Sequence, residues 1–160
     1  MRTILTLGAA AAALSACATT SGSGPEWREV HRTEGRNAFF VTDIAREGDI
    51  ASFQLAQVFQ VNTFQMAGVH GRNQLWPTVR ANCEDWTIAM GPRTRWADDG
   101  SVLLQDDATT FESINWGLPA ESAANAACKG EFPDNSLTVR GGEAELIAAA
   151  RADLGVEQAD

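Results

Sequence analysis

The sequence predicts an α+β domain: mainly an antiparallel β-sheet meander with a packed helix and a C-terminal helix, closed by one disulfide. Three observations carry that expectation. Between Trp27 and Trp116 apolar residues recur in short runs broken by Gly, Asp and Asn, the punctuation of strands and tight turns. After Pro119 two segments with helical spacing follow. Of three cysteines, Cys17 lies in an N-terminal leader, which leaves Cys83 and Cys128 as an even pair.

The elements follow in chain order. Glu26 to Arg32, with Trp27 and Val30, makes a first strand, and Arg36 to Ile44, centred on Phe39, Phe40 and Val41, a second. Arg46-Glu47-Gly48-Asp49 is a tight reverse turn. Phe53, Leu55, Phe59 and Val61 then alternate with Ser52, Gln54, Gln60 and Asn62, the pattern of a strand buried on one face. Phe64 to Pro77 loses that alternation, contains Gly68, Gly71 and Asn73, and reads as a loop. Val79, Ala81 and Cys83 restore it, and Trp86 to Met90 continues the sheet. Arg93 to Trp96 and Val102 to Leu104 flank Asp98-Asp99-Gly100 as a hairpin, and Phe111 to Trp116 forms a last short strand. Pro119 opens a helix over Glu121 to Lys129, with Gly130 as its cap. Leu137 to Val139 is a weak strand, and Glu143 to Leu154 a helix with Leu146, Ile147, Ala150 and Leu154 on one stripe.

The leader carries an address. Arg2 supplies a positive n-region, and Ile4 to Leu14 is apolar apart from Thr6 and Gly8, the length of a signal-peptide core and too short to span a bilayer. Leu14-Ser15-Ala16-Cys17 resembles the bacterial lipobox. That resemblance implies cleavage after residue 16 and lipidation of Cys17, which anchors the chain to a membrane. The alternative is an ordinary secreted protein whose Cys17 lies by chance near a cleavage site. Ala18 replaces the Asp that marks retention at the inner membrane in enteric bacteria, so the class rule points to the outer membrane. Ala18 to Pro25 (ATTSGSGP) cannot pack and reads as a flexible tether. Residues 1–16 are then a signal peptide, 17–25 the lipidated Cys and tether, 26–140 the α+β domain, and 141–160 a C-terminal helix and tail.

Composition narrows the function classes. The first 16 residues hold one Arg and no acid, so the formal net charge of −9 becomes −10 without them. With basic residues scattered singly, this excludes a nucleic-acid-binding face and electrostatic docking on an anionic bilayer. Export makes a structural disulfide the simplest fate of Cys83 and Cys128. The two are too far apart for Cys-x-x-Cys redox chemistry, and a zinc site would need two further ligands. His31 and His70 are the only histidines and form no Ser-His-Asp or metal-ligand pattern, so they read as surface or loop residues. The Asp98-Asp99-Gly100 and Asp106-Asp107 clusters lack the order of a calcium loop. No cofactor and no metal is expected. Among the tryptophans, Trp86 and Trp116 sit in strand-like runs. Trp76 before Pro77 and Trp96 beside a turn are the candidates for exposed rings that stack on a ligand, although packing is the commoner fate of both.

Four pieces of this layout go together: EWREV at the start of the domain, FFVTDIAREGDIASF across the next two strands, the Cys83 strand, and NWGLPAESAANAAC from Asn115 to Cys128. In that combination the chain resembles the surface-adhesin protein E-like family of bacterial lipoproteins. It departs from the family pattern where Thr42 intervenes before Asp43 and where Ala120-Glu121-Ser122 replaces Pro-Gly-Ser. The resemblance implies an antiparallel sheet with a packed helix, no enzymatic activity, and adhesin-like recognition of a protein or glycan partner. Two other readings remain open. One is a periplasm-facing accessory or structural lipoprotein whose acidic face and terminal helix dock on an envelope assembly, favoured by an exposed stripe at Leu146, Ile147 and Leu154. The other is a hydrolase, which requires a cleft joining a histidine to carboxylates.

Overall fold

The computed structural model describes residues 24–33, 36–60, 64–66, 69–71, 73–96, 99–106, 112–114 and 118–155, with the backbone alone at 64–66, 69–71 and 103–106. The leader, Cys17, most of the tether and Trp116 lie outside these residues. The α+β class holds: the described chain is mostly antiparallel sheet with two helices.

Strands β1 (Glu26–Thr33), β2 (Asn37–Glu47) and β3 (Ile50–Phe59) pair in succession, with Gly48 at φ 58° turning β2 into β3. The chain then makes a separate hairpin, β4 (Phe64–Met66) with β5 (Val69–Gly71), before β6 (Gln74–Asn82) returns beside β3. The first half of β6 pairs with β8 (Arg93–Trp96) and the second half with β7 (Thr87–Met90). Strand β9 (Val102–Asp106) completes a hairpin with β8, and β10 (Glu112–Ser113) adds to β7. Helix α1 spans Pro119–Lys129 and helix α2 spans Glu143–Asp153, with β11 (Thr138–Arg140) between them. The meander is broken at its end, because β11 crosses back to lie antiparallel beside β1 at the far edge.

Two expectations are corrected. The stretch from Phe64 to Pro77 is not one loop, since it holds the β4–β5 hairpin and the start of β6. Pro77 fits within β6 because the register shifts there, Phe53 facing Val79 while Leu55 faces Trp76. The extra residue is a bulge, where a missing N–H breaks no ladder bond. The second correction concerns the faces of β3. Phe53 and Leu55 are buried towards α1 as expected, but Ala56 and Val58 are buried on the opposite face under α2, and Phe59 is only half-buried.

The two helices therefore cover diagonal halves of one sheet. On one face Ala123, Ala124, Ala126 and Ala127 of α1 lie against Phe39, Val41, Phe53, Leu55 and Val79. Alanine on this side of α1 lets the helix sit close to the sheet. On the other face Leu146, Ile147, Ala150 and Leu154 of α2 lie against Trp27, Phe40, Val58, Leu75 and Trp96. The Phe39-Phe40-Val41 run has no polar alternate because each residue meets one core or the other. Cys83, one residue past β6, and Cys128, in the last turn of α1, stand at disulfide distance, with Sγ–Sγ 1.99 Å and Cα–Cα 5.6 Å. Gly130 caps α1 at φ 71° in the left-handed region.

Candidate functional site

The last two residues of the segment expected to be a tether, Gly24 and Pro25, are packed against the domain, which corrects the expectation that nothing there can pack. The amide of Gly141 donates to the Pro25 carbonyl at 3.2 Å, and the Trp27 indole N–H donates to the Gly141 carbonyl at 3.2 Å. A Cβ on Gly24 would stand 2.9 Å from the Gly141 backbone, so the approach needs a glycine at position 24. A chain leaving Cys17 thus reaches the sheet between β11 and the start of α2.

Beside this corner, on the α1 face, part of the sheet is left uncovered. Helix α1 lies over the inner part of β1 and over β2, while the outer part of β1 and β11 present Glu26, Arg28, Thr138 and Arg140, all exposed. Polar residues here are what the strand period requires, because Trp27 and Val139 take the opposite, buried face. The border is the loop from Gly130 to Leu137. Its Phe132 packs against the α1 core, and its Pro133–Ser136 turn places Asn135 at φ 59°. Two recesses flank Phe132-Pro133. One, of about 320 Å³, is lined by Glu26, Arg28, Asp134, Ser136 and Thr138. The other, of about 200 Å³, runs under α1 and is lined by Val30, Ser122, Asn125 and Glu131.

The groups at these recesses are mostly hydrogen-bonding ones. The Arg28 guanidinium lies 3.7 Å from the centre of the Phe132 ring, and its Nε donates to Ser136 Oγ at 3.4 Å. Glu26 is engaged by Arg140 at 2.6 Å. Asn125 Oδ1 is buried without a hydrogen-bond partner among the described residues.

The residues singled out from sequence fall elsewhere. Trp96 is 2% exposed in the α2-side core, which corrects its candidacy as a stacking platform and agrees with the packing alternative. Trp76 is half-buried against the α1-side core, so the two rings are held on opposite sides of the sheet. His31 is half-buried rather than on the surface: its ring meets Phe39 edge-on at 5.9 Å, and its Nδ1 lies 3.4 Å from Ser122 Oγ. The His31–Ser122 contact ties α1 to β1. His70 lies on β5, outside the residues whose side chains are described. Among the described residues no group of three or more His, Cys, Asp or Glu could hold a metal, and no helix is long and apolar enough to cross a membrane.

The chain matches no family model, no curated protein and no solved structure. The resemblance to the protein E-like lipoproteins rests on its sequence motifs alone.

Proposed function

We propose that this protein is a non-enzymatic, lipid-anchored envelope lipoprotein of the outer membrane, whose adhesin-like domain binds a protein or glycan partner. One observation carries the reading: a signal-peptide core ending in Leu14-Ser15-Ala16-Cys17, followed by a Gly/Ser tether that leads directly to the first strand. The acidic chain has no electrostatic affinity for an anionic bilayer, so acyl chains would supply the attachment, at about 0.8 kcal/mol per buried CH₂. The cysteine pair at disulfide distance suits an oxidising compartment. The accessory-subunit alternative loses its surface, because Leu146, Ile147 and Leu154 are buried against the sheet.

Metabolic labelling with a palmitate analogue tests the anchor. The wild-type chain should take up label and partition into detergent, and Cys17→Ser should lose both. Label retained in Cys17→Ser, or absent from the wild type, overturns the lipoprotein reading. Protease shaving of intact cells, beside cells with a permeabilised outer membrane, reports which face the domain occupies. Degradation in intact cells places the domain outside and favours adhesion, while protection until permeabilisation turns the search to periplasmic partners.

A further inference from the structure

We propose that the Cys83–Cys128 link is a redox-operated clasp, whose reduction releases helix α1 from the sheet and leaves the rest of the domain folded. The inference concerns the domain alone and does not depend on the adhesin-like reading.

The two faces of the sheet are held by different means. Helix α2 sits on a core of large side chains, where Trp27, Phe40, Leu75 and Trp96 meet its Leu146 and Ile147. The fully buried side chains that α1 brings to the other face are all alanines, at positions 123, 124, 126 and 127. An alanine covers little apolar surface against the backbone entropy lost in ordering its residue. At 11 residues, α1 is also short of the length that persists alone in water, and Leu118 gives it no side-chain cap. Its polar contacts lie at the rim, with Ser122 at 3.4 Å from His31 and Lys129 at 4.8 Å over the Trp86 ring. The covalent link in its last turn is what tips this balance towards the docked helix.

The segment is built as a flap with fastened ends. Before it, the Ile114 amide donates to the Trp86 carbonyl at 3.2 Å. After it, the Glu29 amide donates to the Leu137 carbonyl at 2.9 Å, and the Leu137 amide donates to Glu29 Oε2 at 3.3 Å. Between those points Cys128 is the one covalent tie to the sheet among the described residues. The cores under α1 and α2 lie on opposite faces, so one can open while the other stands. Both cysteines are half-buried at the border of the α1 core, and exposed Lys129 beside Cys128 favours an approaching thiolate.

The reductant is a dithiol of the thioredoxin type. Its thiolate bonds to one cysteine sulfur and expels the other as a thiolate, and its second thiol then breaks the mixed disulfide. Two electrons and two protons pass to Cys83 and Cys128, and the dithiol leaves as a disulfide. The released helix uncovers Phe39, Val41, Phe53 and Leu55.

Lys129 is the only lysine in the chain, so a lysine-specific protease reports on α1 at a single bond. The full chain in detergent is digested with and without dithiothreitol, and hydrogen exchange is followed in parallel. The oxidised protein should resist, and the reduced protein should be cut once, after Lys129. Amides of residues 119–129 should then exchange at least about a hundredfold faster, while those of α2 and β2 keep their protection. Reoxidation before digestion should restore resistance. Cys83→Ser with Cys128→Ser should match the reduced wild type without any reductant, and if that variant does not fold, reduction of the folded wild type decides. The proposal is overturned if α1 stays protected once alkylation shows both thiols free. It is equally overturned if α1 and α2 lose protection together, which would make the link a plain structural staple.

Discussion

Glu29 is a carboxylate only 5% exposed, on the first strand of a small domain, and two groups hold it there. Arg32 donates to both its oxygens at 2.7 Å, the amide of Leu137 donates at 3.3 Å, and Asp153 of α2 pairs with the same guanidinium. The hydrogen bond to Glu29 is the main reason the Arg32 pKa is raised above its ordinary range, with Asp153 adding to it against the cost of burial. A raised folded-state pKa contributes stability that is fully present below the unfolded value and is lost only as pH rises through the folded one, here in strong alkali. Arg32→Ala should therefore cost about 2–3 kcal/mol, because Glu29 is left buried and unpaired, and thermal melts between about pH 6 and pH 9 should show the same deficit. A deficit that disappears within that range would mean the pair does not act as an ion pair. Gly141 makes a different demand. It sits at φ 145°, and a Cβ would meet Glu145 Cβ at 2.7 Å. Gly141→Ala is expected to destabilise by about 2 kcal/mol and to speed proteolysis at the tether junction, which limited digestion would measure.

Helix α2 buries Leu146 and Ile147 at 0% and 1% exposure against the sheet. Leu146→Ala should cost about 3 kcal/mol in denaturant unfolding. A stripe that instead served as an outside docking face would leave the melt unchanged. Both helices were legible in the sequence, from the Pro119 start, the Gly130 cap and the 3.6-residue spacing of α2, because a helix is specified by its own residues. The strand bounded by Gly48 was legible from its turn and its alternation. What was not legible was how far burial reached on the second face of β3. Ala56 and Val58 look unremarkable until α2, some 90 positions later in the chain, is laid across them. The same holds for the start of β6, where Pro77, following Gly71 of β5 and Asn73, reads locally as part of a loop while pairing with β3 makes a strand. Leu137 to Val139 reads as a weak strand, but the place of β11 beside β1 depends on a crossover that periodicity does not encode.

At the scale of the whole molecule, the link between Cys83 and Cys128 closes a sequence separation of 45 residues and ties α1 to the sheet. Replacing both cysteines by Ser should lower stability by about 4 kcal/mol on the chain-entropy estimate, and mass spectrometry of a non-reduced digest should find the two peptides joined. Free thiols in that digest would remove the disulfide from the account. The pairing itself was readable from the cysteine count and the exported context, but the recesses beside Phe132-Pro133 were not. Asn125 is one of many polar residues in an alanine-rich helix, and Pro133-Asp134-Asn135 reads as a connector. Only the fold brings the two together beside β1. Trp76 and Trp96 drew attention by their chemistry, and the sheet used both rings as packing. The fastening of Gly24-Pro25 to Gly141 bears on mechanics. Under the proposed lipid anchor at Cys17, tension on the bound domain would arrive at the start of β1. That strand is flanked on both sides, by β2 and by β11, so a load along it is shared among many backbone hydrogen bonds strained together instead of peeling them apart singly.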